Sequence, residues 1–214
     1  MKRIKIENIR KEYSTRTLDE HSVNPDPFIQ FNLWFEEVIR AGIEEPSAMF
    51  LATSGKDGRT SGRIVLLKGF NEKGFVFYTN YDSLKGRDIN ENPNVALTFH
   101  WKELERQVRI IGRASKVTKK ESDEYYQSRP FESRLSAAIS PQSSVICGRE
   151  FLEEERERFL STIKDKESPR PSNWGGFVIK PVQFEFWQGR ESRLHDRIRF
   201  RLEKKYWIIE RLAP

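Results

Sequence analysis

The sequence predicts a mainly β (α+β) chain, an antiparallel barrel, closed or split, with peripheral helices. Three observations lead there. About nine short runs rich in β-branched and aromatic residues recur along the chain, their connectors carry the glycines that hairpin turns require, and strands do not alternate regularly with helices as in a doubly wound sheet.

Residues 1–24 are polar and lack sustained periodicity, which reads as a mobile arm able to order over a ligand, ahead of a single domain over residues 25–214. Asp26 is placed to cap a helix with Pro27 in its first turn; Phe28, Phe31, Trp34, Phe35, Val38 and Ile39 fall on one face, and Gly42 ends it. Strands are expected at Ala48 to Thr53, Thr60 to Lys68, Phe75 to Thr79, Val95 to Trp101 and Gln107 to Lys116. Helical spacing returns from Lys119 to about Ser128, a short helix follows Pro130, and Glu150 to Ile163 reads as a charged amphipathic helix. After a Ser/Pro-rich link at 168–172, strands resume at Gly176 to Lys180, Gln183 to Gln188, Arg197 to Leu202 and Tyr206 to Arg211.

At 214 residues the length suits one substantial core, and fifteen Phe, five Trp and six Tyr supply aromatic surface that a disordered chain lacks. The net charge of +6 favours anionic partners, phosphorylated small molecules as well as nucleic acid. Most Lys and Arg are interleaved with Asp and Glu, as at 119–124 and 153–158, which is the pattern of solvated helix faces; no like-charge block suggests a tail for RNA or DNA. Cys147 is the single cysteine, excluding an intramolecular disulfide and a cysteine-based zinc site within one chain and fitting a reducing cytoplasm. No segment has the apolar core of a signal peptide or the length of a membrane span, so the expectation is a cytoplasmic protein with neither membrane nor metal.

Four segments carry candidate chemistry. Arg63-Ile64-Val65-Leu66-Leu67-Lys68 sets two cations around apolar residues; strand alternation puts Arg63 and Lys68 on opposite faces unless a twist or bulge intervenes, and a core strand with charged ends accounts for the pattern too. Tyr78-Thr79-Asn80, followed by a helix start at Ser83-Leu84-Lys85-Gly86-Arg87, offers hydroxyls, free N–H groups and cations to a phosphate, although ordinary capping would look the same. Tyr125, Arg129 and Ser133 share a helical face if Pro130 bends the chain rather than scattering them, and surface hydrogen bonding is the alternative. The segment Trp187 to Arg197 gathers an indole, three arginines and His195 on a loop between strands, with Arg193 and His195 alternating about Leu194. No Walker or dinucleotide-binding glycine fingerprint is present.

In order along the chain, Arg63-Ile-Val-Leu-Leu-Lys68, Phe77-Tyr-Thr-Asn80, Glu105-Arg-Gln-Val108, Ser128-Arg-Pro130, Gln142-Ser-Ser144, Trp174-Gly-Gly-Phe177, Glu185-Phe-Trp-Gln-Gly189 and Arg193-Leu-His-Asp-Arg197 resemble the pyridoxamine 5′-phosphate oxidase family. The resemblance implies a split-barrel homodimer that binds FMN at the subunit interface and oxidises pyridoxamine or pyridoxine 5′-phosphate to pyridoxal 5′-phosphate with dioxygen. It implies release of hydrogen peroxide, and of ammonia from the amine, in vitamin B6 biosynthesis and salvage. It further implies that Arg63, Ile64, Val65, Leu66, Leu67, Lys68, Tyr78, Thr79 and Lys85 hold FMN, completed by Gln107, Gln142, Ser143, Trp187 and Arg197, some from the other subunit. Lys68, Tyr125, Arg129 and Ser133 would bind the substrate phosphate, Arg193, Leu194 and His195 would lie at its ring with Arg193 and His195 catalytic, and Arg10, Lys11, Glu12 and Tyr13 would cover it. Where the family usually has Ser-Arg-Lys, this chain has Ser83-Leu84-Lys85, so one arginine contact to the FMN phosphate is missing and Arg87 is the nearest replacement.

Two other readings compete. A different split-barrel flavoprotein, such as a flavin reductase, would keep the FMN segments without needing Tyr125, Arg129, Ser133 and the 193–197 loop together. A non-enzymatic barrel binding nucleic acid would be colourless and salt-sensitive.

Overall fold

The computed structural model describes Tyr13, residues 16–163 and residues 168–214; the expectations for Arg10, Lys11 and Glu12 fall outside the described residues. These residues gather into two compact units. One comprises the described residues up to Pro46 with Leu97–Ile110 and Val182–Pro214; the other comprises Ser47–Ala96 and the described part of Ile111–Pro181.

In the first unit, helix α1 (Pro27–Arg40) begins where Asp26 accepts a hydrogen bond from the Phe28 N–H at 2.8 Å, with Pro27 in the first turn where no donor is lost. Gly42 follows its end at φ +67°, a left-handed conformation that costs glycine nothing. Phe31, Trp34 and Val38 are buried as the periodicity predicts, but Ile39 is exposed because the buried stripe is rotated around the helix toward Gln30, which is buried on its other flank. Phe31 meets Phe99 at 5.1 Å, Trp34 meets Phe186 at 5.2 Å and Phe186 meets Phe200 at 5.5 Å, an aromatic core built by alternation along the strands. Leu18 and Val23 are also buried; the Leu18 N–H donates to Asp196 at 3.0 Å, and Arg211 pairs with Glu20.

In the second unit, β1 (Ala48–Ser54) pairs antiparallel with β2 (Thr60–Leu66), and β3 (Gly69–Asn71), a short strand the sequence pattern did not suggest, pairs with β4 (Gly74–Asn80). Helix α2 (Leu84–Glu91) starts at Ser83, whose side chain accepts from the Gly86 N–H. Three further helices, α3 (Lys119–Ser128), α4 (Phe131–Ile139) and α5 (Arg149–Thr162), stand where helical spacing returned. A capping box at Thr118 and Glu121 fixes the start of α3.

The remaining strands are β5 (Asn94–Trp101), β6 (Arg106–Lys116), β7 (Trp174–Gln188), β8 (Asp196–Glu203) and β9 (Tyr206–Arg211). The sheet order is β2-β1-β5-β6-β7-β4-β3, with β8 on β7 and β9 on β8. What reads as two strands on either side of Pro181 is one fifteen-residue strand, β7. Proline lacks an N–H to donate, and the partner changes around it: Trp174–Ile179 pairs with β4, whereas Gln183–Gln188 pairs with β8. Among the described residues no helix is long and apolar enough to cross a membrane, and no cluster of metal-ligating side chains occurs.

Candidate active site

The second unit contains a cavity of about 660 Å³ lined by Arg63, Ile64, Val65, Leu66, Lys68, Tyr78, Thr79, Lys85, Tyr125, Arg129, Pro130, Ser133, Gln142 and Trp174. Segments far apart in sequence meet here because β2, the end of β4, the start of α2 and the α3–α4 corner converge. Arg63 and Lys68 share the wall despite their odd spacing. The chain leaves the β2 ladder after Leu66, with the Leu67 N–H on Ser47 O and the Lys68 N–H on Val76 O, so period-two alternation stops before Lys68. Leu67 is buried and is not among the lining residues.

At one end, the Lys85 ammonium donates to Thr79 Oγ1 at 3.2 Å, Ser83 Oγ at 3.3 Å and Gln142 Oε1 at 3.3 Å, and Thr79 donates to the same Gln142 oxygen at 3.0 Å. Lys85 is only 8 % exposed; burial, with Arg63 pushing the same way, brings its pKa down to about 8. Arg63 donates to Thr53 Oγ1 at 2.6 Å and Ser61 Oγ at 2.5 Å. Burial lowers its pKa, and Asp88 opposes the shift.

The other end is the α3–α4 corner. Helix α3 stops at Ser128, Arg129 turns extended (φ −76°, ψ 148°), and Pro130 heads α4, so proline redirects the chain and leaves Tyr125, Arg129 and Ser133 on one cavity. The Arg129 guanidinium lies 4.6 Å from the Trp174 ring centre, and its buried Nη1 has no hydrogen-bond partner. Burial lowers the Arg129 pKa and raises those of Tyr78 and Tyr125, whose rings stack at 3.8 Å. Trp174, which sequence reasoning placed in a motif but not in the site, completes this stack at 5.7 Å from Tyr78. Gly176 faces Tyr78 across the β4–β7 register, and a Cβ there would come within 2.8 Å of the tyrosine ring, which explains the glycine in Trp174-Gly-Gly-Phe177.

Such a cavity suits a phosphorylated aromatic molecule. Four cations and four hydroxyl-bearing side chains line it beside flat rings, and one buried guanidinium nitrogen lacks a partner.

Other expected residues lie elsewhere. Ser143 is exposed at φ +72° and is not among the lining residues. Arg87 does not line this cavity: its guanidinium bonds the Asp82 carbonyl, and with Leu84 it borders a separate hollow beside Asp88 and Glu91.

In the first unit, His195 packs 4.6 Å from the Trp187 ring and 5.9 Å from Tyr13. Its Nδ1 accepts the Arg190 backbone N–H at 3.1 Å, so neutral His195 carries its proton on Nε2 and offers a donor there. Arg193 and Leu194 are exposed; Glu191–Arg193 forms a short turn with Ser192 and Arg193 at φ +53° and +61°, so strand alternation about Leu194 does not hold. Gly189 lets Tyr13 approach, since a Cβ would lie 2.8 Å from its ring. Arg197 bonds Glu185 at 2.8 Å, which raises its pKa, and Gln107 accepts from Arg109 at 3.4 Å.

Residues 35–153 match the family model described as pyridoxamine 5′-phosphate oxidase, and residues 174–214 match that described as the pyridoxine 5′-phosphate oxidase C-terminal dimerisation region. The pyridoxine/pyridoxamine 5′-phosphate oxidase of a Nostoc species is 52% identical over 98% of both chains, and that of Polynucleobacter asymbioticus is 51% identical over 98% of this chain and 99% of its own. Among solved structures, PhzG from Burkholderia lata, in complex with tetrahydrophenazine-1-carboxylic acid, superposes with a TM-score of 0.88 at 26% identity over 95% of this chain and all of its own. A pyridoxamine 5′-phosphate oxidase-related, FMN-binding protein from Nostoc punctiforme shares the fold, with a TM-score of 0.70 at 19% identity over 88% of this chain and 98% of its own. The fold is that of the split-barrel proteins, and the chain belongs to the pyridoxine/pyridoxamine 5′-phosphate oxidase family.

Proposed function

We propose that this protein oxidises pyridoxamine and pyridoxine 5′-phosphate to pyridoxal 5′-phosphate, using FMN and dioxygen and releasing hydrogen peroxide and, from the amine, ammonia displaced by water. The observation that carries the reading is one cavity that joins two sets of cationic and hydroxyl side chains suited to phosphate, Arg63 with Thr79 and Lys85 at one end and Tyr125, Arg129 and Ser133 at the other, to stacked rings. The relatives named for this activity match it along almost their whole length.

In this reading Arg63, Lys85, Thr79 and Gln142 hold the flavin phosphate and its polar neighbours, and Ile64, Val65 and Leu66 form the wall beneath. Bound FMN supplies the two-electron acceptor. Arg129, Ser133, Tyr125 and Lys68 fix the substrate phosphate and thereby the position of its reacting carbon. Arg193 and His195 orient the pyridine ring, His195 by donating from Nε2. Gln107, Trp187 and Arg197 serve as ligand contacts in an assembled homodimer, which the match to a dimerisation region supports. Residues 25–214 act as one catalytic domain, with 10–13 as the cover, in the cytoplasm.

The purified protein is expected to show the visible bands of bound flavin and to release peroxide on addition of pyridoxamine 5′-phosphate. A colourless protein that takes up no FMN contradicts the proposal. A flavin-bearing protein inert to both precursors favours a different split-barrel flavoenzyme. Loss of turnover or substrate affinity in Arg193→Ala and His195→Ala is expected, and unchanged kinetics would remove that loop from the site.

A further inference from the structure

Behind Arg63 lies a hydrogen-bonded assembly that none of the cavity-lining residues completes on its own. Its guanidinium fork donates to two hydroxyls, Thr53 Oγ1 at 2.6 Å and Ser61 Oγ at 2.5 Å. Both hydroxyls then donate to one carboxylate oxygen, Asp88 Oδ2, at 2.6 and 2.9 Å. Asp88 is 9 % exposed, and no direct ion pair joins it to Arg63 among the described residues. The chemistry fixes the direction of every proton. A guanidinium only donates and an ionised carboxylate only accepts, so each hydroxyl must point its hydrogen at Asp88 and its lone pair at Arg63.

We infer that Asp88, acting through Thr53 and Ser61, is a positioning residue that aims Arg63 at the phosphate of a bound flavin, an inference that rests on the proposed function. Three features support it. The strand register places Ser61 opposite Thr53, so the β1–β2 pair holds the two hydroxyls side by side, 3.2 Å apart. Helix α2 carries Asp88 one turn beyond Lys85, so one rigid element sets both the cavity lysine and the carboxylate behind the arginine. Leu84 stands on that same helix where the family usually carries an arginine, which leaves Arg63 and Lys85 as the cations of this end and makes the aim of each more consequential. An arginine held by two hydroxyls that one carboxylate fixes in turn meets a phosphate without first losing side-chain freedom.

The test is a fluorescence titration of FMN into flavin-free protein. Asp88→Asn is expected to weaken FMN binding on the order of tenfold, because an amide can donate back to the hydroxyls and scramble the relay. In an Arg63→Ala background the same change is expected to have no further effect, since the carboxylate acts only through that arginine. Thr53→Ser, which keeps the hydroxyl, is expected to bind as the unmodified protein does, whereas Thr53→Val weakens binding. These two milder changes read the relay even if Asp88→Asn fails to fold. Wild-type affinity in Asp88→Asn or Thr53→Val overturns the inference, as does an equal loss with and without Arg63. Failure of the unmodified protein to take up FMN overturns the reading of the cavity itself, and this inference with it.

Discussion

Arg63 and Arg129 line the same cavity, yet they meet burial in opposite ways. Arg63 is committed to Thr53, Ser61 and the Leu51 carbonyl, with Asp88 behind them. Arg129 lies against the Trp174 face with a buried nitrogen that has no hydrogen-bond partner. The first end is preorganised with the protein's own groups, as befits a cofactor held through many turnovers. The second leaves a buried cation with a hydrogen bond still to give, which in the proposed function the phosphate of an arriving substrate accepts.

That contrast breaks most visibly at Arg129. Arg129→Met keeps a flexible apolar chain against Trp174 but removes the charge. The KM for pyridoxamine 5′-phosphate is expected to rise about a hundredfold while FMN affinity stays put, since an interaction with a buried charged group is lost. The melting temperature is expected not to fall, because no protein partner loses a bond. A large drop in FMN affinity would show that the two ends are not separate.

At the opposite end, Lys85→Met is expected to weaken FMN binding by roughly tenfold, leaving the substrate KM at saturating FMN little changed. The same lysine sets a pH dependence. Folding lowers the Lys85 pKa to about 8, against about 10.4 for a free lysine. Below pH 8 both folded and unfolded chains carry the charge, and the full burial penalty applies. Between about pH 8 and 10 the folded chain sheds the proton while the unfolded chain keeps it, so flavin-free stability is expected to rise in that window relative to Lys85→Met. Phosphate binding needs the protonated amine, and FMN affinity is therefore expected to fall severalfold from pH 7 to pH 9, as followed by titration at each pH. A flat profile would detach Lys85 from the phosphate.

The smallest expected effect is at Leu84. Leu84→Arg restores the family's usual cation on α2 and is expected to tighten FMN binding a few-fold at most, because Leu84 borders the hollow shared with Arg87 rather than the cavity. Unchanged or weaker binding in the same titration would mean that a side chain at this position does not reach the phosphate.

These differences also mark what the sequence can disclose. Strand and helix periods, the Asp26 cap and the turn glycines are local, and the corresponding elements stand within a few residues of expectation. The cavity's cations were legible by different signals, Arg63 and Lys68 as charges around an apolar run, Lys85 at a helix start and Arg129 by its helical spacing from Tyr125 and Ser133. Their geometry was not: the chain leaves β2 before Lys68, and Pro130 turns the α3–α4 corner, both settled by long-range packing. Thr53, Ser61 and Asp88 drew no notice at all, since hydroxyls and a carboxylate scattered over three elements become a unit only when the β1–β2 register and α2 bring them together. The turn before His195 went unread for a related reason. Two non-glycine residues at positive φ contradict local preference and are imposed by the surrounding fold.

The most direct test of the two-ended cavity is a crystal structure of the protein with FMN bound and no substrate. The account predicts the flavin phosphate within hydrogen-bonding distance of Arg63 and Lys85, with Arg129 Nη1 still without a protein partner at the far end. A flavin phosphate seated on Arg129, with Arg63 turned wholly to its hydroxyls, would contradict it.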